Sequence, residues 1–158
     1  MPTTNEYALL AGASYFDTRT SVNRFPVPTN WTLESRVPEV PSTGFEASAY
    51  KNTLTNEIVI SYAGTYSADD IAADIGLATG VGSEQLFQAA KYYLQVKASV
   101  TANNPDATFT FTGYSLGGGL AALMSVFFGK QAVTFDQAPF ADSATRNALE
   151  NSLEWRAA

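Results

Sequence analysis

The amino-acid sequence predicts an α/β fold with a mostly parallel sheet flanked by helices. Apolar strand-like segments alternate with helix-like segments, the order that right-handed β-α-β units produce. Ile58, Val59 and Ile60 form an unbroken β-branched run, as in a strand covered on both faces. Residues 108–136 read strand, Gly-rich junction, small-residue helix, strand. The 158 residues suit one domain spanning 1–158, and 46% hydrophobic against 15% charged residues exclude a disordered chain.

In order, residues 4–16 carry apolar positions at helical spacing behind a Thr/Asn start, predicting a short helix. Residues 24–44 hold Pro26, Pro28, Pro38 and Pro41, which predicts an extended surface segment, neither helix nor central strand. Its Trp31, Phe and Val residues favour packing against the core over lining a substrate entrance. A hairpin follows, FEASAYKN (45–52) and EIVISYAG (57–64) around a TLTN turn. Residues 67–79 begin with Ser67, Asp69 and Asp70, suited to a helix start. Residues 83–102 predict a longer amphipathic helix capped by Ser83, with Leu86, Phe87, Ala90, Tyr93, Leu94, Lys97 and Ala98 on its apolar stripe. A strand at 108–113, a helix at 118–129, a strand at 131–136 and a last helix at 141–155 complete the reading.

Composition removes several functions. The net charge of −6 opposes a nucleic-acid surface. Zero Cys removes disulfides, thiol nucleophiles and thiolate zinc sites. Zero His removes the commonest metal ligand and the commonest base near neutral pH. No stretch approaches the roughly 20 apolar residues of a membrane helix, and the N-terminus lacks the basic start and cleavage site of a secretory signal.

The chemistry-bearing motif is Gly113-Tyr114-Ser115-Leu116-Gly117, a G-x-S-x-G pattern between a predicted strand and helix. In such an elbow the serine sits on a strained turn, and glycines are needed where side chains would strike the neighbouring strand and helix. The serine then faces the positive end of the helix dipole, and the Leu116 N–H is placed to stabilise an oxyanion. A Gly-rich turn that only packs a helix onto a sheet would use the same glycines. A second rival is a dinucleotide turn, Thr112-Gly113…Gly117…Gly119, with Asp136 on the next strand and a Tyr93/Lys97 pair. Chain order opposes this oxidoreductase reading, because the Gly turn of such enzymes comes first and the Tyr/Lys pair far downstream.

Over about residues 44–140 the sequence resembles the class 3 lipases of the α/β-hydrolase superfamily. AYKNTLTNEIVISYAGTYSADDIAADI resembles the strand, oxyanion loop and acidic helix of that family. TFTFTGYSLGGGLAAL resembles its nucleophile elbow, and AVTFDQAPF its next strand. The resemblance implies Ser115 as nucleophile, Leu116 as first oxyanion donor and Thr65, after Gly64, as second, with Gly113 and Gly117 framing the elbow. It implies no cofactor and no metal. Ala63 and Tyr114 stand where the family usually has Arg and His, and the Trp that often follows its oxyanion loop is missing. Asp69, Asp70 and Asp74 are read as helix-start charges and not as a metal site, and Asp136 is given no catalytic role.

Triads of this superfamily run Ser, acid, His, and no His follows Ser115. Three explanations stand. The chain is the N-terminal, nucleophile-bearing portion of a longer lipase-like protein; a second chain supplies the Asp and His; or the fold has become an inactive lipid-binding or interaction module. The first is the leading expectation, giving a serine ester hydrolase acting on lipid acyl esters, with transient contact to a lipid surface. On its own the 158-residue chain is expected to be inactive. Localisation stays open, with bacterial export by a signal-independent route suggested by the family's range.

Overall fold

The computed structural model describes residues 1–64 and 80–138. Helix α1 (Thr4–Ala13) is followed by strands β1 (Trp31–Val40), β2 (Phe45–Asn52) and β3 (Glu57–Tyr62). Helix α2 (Gly80–Asn103), strand β4 (Thr108–Tyr114), helix α3 (Leu116–Phe128) and strand β5 (Gln131–Phe135) complete it. The helices predicted at 67–79 and 141–155 lie outside the described residues.

The five strands form one sheet in the order β1-β2-β3-β4-β5. The sheet is mixed. The β1–β2 and β2–β3 pairings are antiparallel, whereas β3–β4 and β4–β5 are parallel. The antiparallel half follows from the tight turns at 41–44 and 53–56; the parallel half needs the crossovers that α2 and α3 belong to. The proline-rich segment becomes the edge strand β1, and Pro38 falls in the register break between Val37 and Val40, where a missing N–H removes no ladder bond.

Alternation along β3 sends successive side chains to opposite faces. Ile58, Ile60 and Tyr62 join one core cluster with α2, α3, Phe109 and Phe111. Val59 faces the other way, into a cluster with Tyr7, Leu10 and Ala13 of α1, Trp31 and Tyr50. The molecule is thus layered α1, sheet, α2 with α3. Trp31 is core: its ring is buried and its indole N–H donates to Glu6 Oε1 at 2.8 Å.

Two local expectations are corrected. Ser83 does not cap α2, because the helix already begins at Gly80. The inner face of α2 is Leu86, Ala89, Ala90, Tyr93, Val96 and Val100, while Phe87 and Leu94 are exposed; a helical period of 3.6 residues carries both away from the sheet. Among the described residues no helix is long and apolar enough to cross a membrane.

Candidate functional site

The parallel half of the sheet ends its strands side by side, with Tyr62 paired to Gly113 and Tyr114 to Phe135. Such carboxyl ends are where open α/β sheets bind ligands. Here β4 runs into Ser115 and α3 starts at the next residue.

Ser115 has φ 56° and ψ −124°, a positive φ that a side-chain-bearing residue rarely adopts. Its surroundings hold it there. The Ser115 N–H donates to the Phe135 carbonyl at 3.1 Å, and its own carbonyl accepts from Gly119 N–H at 3.1 Å and Ala138 N–H at 3.0 Å. Strain of this kind persists only when neighbouring structure fixes it. The turn brings two backbones into contact. A Cβ on Gly113 would strike the Gly117 carbonyl, and one on Gly117 would strike the Tyr62 carbonyl and Ala63. Both glycines are therefore required by close approach.

Leu116 is buried at the first position of α3. Amides of a first helical turn have no intrahelical acceptor, so its N–H is available to an anion beside Ser115. Thr65 lies outside the described residues, as do Ser67, Asp69, Asp70 and Asp74. The approach to Thr65 is described: a Cβ on Gly64 would lie 3.3 Å from Leu116 N and 2.8 Å from the Tyr114 carbonyl oxygen. Gly64, two residues beyond β3, and the start of α3 thus sit against one another.

Sequence reasoning missed Tyr15. Its ring is buried, and its hydroxyl accepts from Gly64 N–H at 2.8 Å and donates to the Tyr114 carbonyl at 3.3 Å. Burial pushes the Tyr15 phenol up from its ordinary pKa, which keeps it a neutral donor. Glu46 was missed as well. It is 1% exposed, and its carboxylate accepts from Asp17 N–H at 2.7 Å and the Thr18 hydroxyl at 3.0 Å. No local signal marks either residue, since each is an ordinary aromatic or strand position in the sequence.

Of the dinucleotide reading, Asp136 does reach the glycine turn, but Tyr93 is packed in the core. Tyr93 is buried against Phe109, Phe111 and Phe128, on the face covered by α2 and α3. Asp136 follows β5 with φ 44° and accepts from the Tyr114 phenol at 3.4 Å. Tyr114 itself is exposed. Among the described residues no group of three or more Asp or Glu side chains could hold a metal ion. A groove of about 280 Å³ opens between β1 and α2, lined by Arg36, Val37, Tyr92 and Val96 among others, and includes no residue of the elbow.

Comparison with known proteins agrees with this architecture. The chain is 36% identical over 99 residues to an extracellular phospholipase A1 of Serratia liquefaciens, a match covering 63% of this chain and 29% of that protein. A lipase of Rhizopus microsporus var. chinensis superposes with a TM-score of 0.65 at 17% identity, covering 84% of this chain and 56% of the lipase. Lipase II of Rhizopus niveus gives 0.65 at 16%, covering 84% and 60%. These likenesses show the α/β-hydrolase fold. The chain spans under a third of the phospholipase and a little over half of each lipase. A family profile, described as a phospholipase-like, Tle-like phospholipase domain, matches residues 6–154. With nearly the whole chain matched, the protein belongs to the Tle-like phospholipase domain family.

Proposed function

We propose that this chain carries the nucleophile of a serine hydrolase that cleaves acyl esters of lipids, and the strained Ser115 at the start of α3 is the observation that carries the reading. In this reading Ser115 Oγ forms a bond to the ester carbonyl carbon while its proton passes to a histidine base. The tetrahedral oxyanion is held by the Leu116 N–H and by a second donor on the loop after β3. Gly64 N–H is already engaged by Tyr15, so the donor falls to the next residue, Thr65. Collapse breaks the bond to the alcohol, which takes the proton from the base and leaves an acyl-enzyme. Water then attacks the acyl carbon, gives its proton to the base, and releases the fatty acid as Oγ is reprotonated.

The chain contains no His, so the reading assigns the base and its orienting acid to sequence beyond these residues or to a second chain. The match of this chain to only part of its relatives supports that assignment. The same lack of His motivates the second reading, a hydrolase-fold module that binds lipid without cleaving it.

The test is fluorophosphonate labelling and short-chain ester hydrolysis by this chain and by a C-terminally extended form, with Ser115→Ala as control. Labelling and turnover are expected in the extended form alone and lost in Ser115→Ala. Persistence of labelling in Ser115→Ala would sink the nucleophile assignment. Turnover by the 158 residues alone would refute the external base, and silence in every extended form would favour the binding module.

A further inference from the structure

The two loops that the catalytic reading needs side by side are joined by a side chain from neither. Helix α1 ends at Ala13, and its C-cap Ser14 is buried with its hydroxyl donating to the Ala11 carbonyl at 2.8 Å. That cap ends the helix and delivers Tyr15 to the carboxyl ends of β3 and β4. There the phenol oxygen accepts from the Gly64 N–H and its O–H donates to the Tyr114 carbonyl. Gly64 directly precedes Thr65, and Tyr114 directly precedes Ser115. One hydroxyl therefore ties the backbone before one oxyanion position to the backbone before the nucleophile.

The ring that carries this hydroxyl is itself fixed. The Arg19 guanidinium stacks on it at 4.1 Å from the ring centroid. The turn behind it is gripped by Glu46, whose carboxylate binds Asp17 N–H and the Thr18 hydroxyl. The backbone carbonyl of Glu46 also accepts from Ala63 N–H at 2.9 Å, one residue before Gly64. A single residue of β2 thus anchors both the turn after Tyr15 and the loop that Tyr15 binds.

We propose that Tyr15 is a positioning residue, a strut that sets the separation of the β3 loop from the nucleophile elbow and so the aim of both oxyanion donors. The proposal rests on the catalytic reading given above. A second structural reason supports it. The Gly64 amide is engaged by the Tyr15 hydroxyl, so it is not free to serve as an oxyanion donor itself. Preorganised donors contribute most when they need not reorient during reaction, and small misplacements of catalytic groups cost rate steeply.

The test compares Tyr15→Phe with Tyr7→Phe in the C-terminally extended enzyme. Tyr7 also lies on the α1 side and its Phe variant loses a hydroxyl bond, but one made to Thr110 within β4 at 3.1 Å and to neither loop backbone. Tyr15→Phe is expected to lower kcat and the rate of fluorophosphonate labelling by about 10- to 100-fold with KM little changed, between the loss of one hydrogen bond and of one oxyanion donor. Tyr7→Phe is expected to lower Tm comparably and leave both rates intact. Wild-type rates in Tyr15→Phe, or equal losses in both variants, would overturn the strut. Should Ser115→Ala retain turnover, the catalytic reading fails, and the strut is then judged by amide hydrogen exchange at Gly64. Faster exchange in Tyr15→Phe supports the bridge, and unchanged exchange rejects it.

Discussion

Gly117 fixes how closely α3 can approach β3, and its neighbour across the turn, Gly113, fixes how tightly β4 can bend into the helix. In each case the obstructing atoms are backbone, which cannot rotate away as a side chain could. Gly117→Ala is therefore expected to destabilise the fold by about 2–3 kcal/mol, seen as a Tm lower by about 5–10 °C in scanning calorimetry. A variant melting with the wild type would show that the elbow is looser than its geometry implies. These glycines and Ser115 were legible in the sequence because the constraint is local: five consecutive residues contain the whole turn. Tyr15 was not legible, because its partners lie 49 and 99 residues away. Nothing in a tyrosine's neighbours along the chain announces where its hydroxyl will end.

At the scale of the element, α1 shows how a short helix at the start of the chain is made firm enough to present a side chain. Thr3 accepts from Glu6 N–H at 3.3 Å, and Glu6 accepts from Thr3 N–H at 2.8 Å, a reciprocal capping box. Glu6 also receives the indole N–H of Trp31, which ties the cap to the first residue of β1. Thr3→Ala removes the hydroxyl half of this box and is expected to cost about 1 kcal/mol, or roughly 2–4 °C in Tm for a domain of this size. An unchanged melting temperature would mean that packing alone holds the helix start. The Thr/Asn start of α1 was readable in advance, as was the β2–β3 hairpin. The edge position of β1 followed in part from its prolines. The inner face of α2 was read only in part, since Leu86, Ala90 and Tyr93 point inward but Phe87 and Leu94 do not. Apolar residues spread around that helix, and packing against the sheet selected among them.

Across the whole molecule, two carboxylates give the stability opposite responses to pH. The Thr3 N–H, then the Trp31 indole and the Thr3 hydroxyl, hold Glu6 below the ordinary carboxylate pKa. Its contribution is present above the unfolded pKa and is lost as pH falls through the folded one. Glu46 is the reverse case, raised chiefly by burial against the opposing pull of its Asp17, Thr18 and Phe16 hydrogen bonds and with Asp17 nearby pushing the same way as burial. Its contribution is fully present below the unfolded pKa and is lost as pH rises through the folded one. Melting curves between about pH 3 and 7, the range in which carboxylates titrate, separate the two. Glu6→Gln is expected to reduce the loss of Tm on acidification, and Glu46→Gln to reduce the loss of Tm on raising the pH. Parallel profiles for both variants and the wild type would show that neither group is linked to folding. The same pair also joins distant parts of the chain, Glu6 linking α1 to β1 and Glu46 linking β2 to the turn after α1.

The sequence by itself determined the Gly113–Gly117 turn, the hairpin, the succession of strands and helices, and the lack of any histidine in these 158 residues. Each of these is written in short-range spacing or in composition, which folding does not alter. Tertiary structure alone decided that the indole of Trp31 is tied to Glu6, that the sheet is half antiparallel, and that Tyr15 and Glu46 brace the approach to Ser115. The physical reason is that a buried hydroxyl or carboxylate must find partners wherever the folded backbone offers them. Those partners come from segments that only the closed sheet brings together.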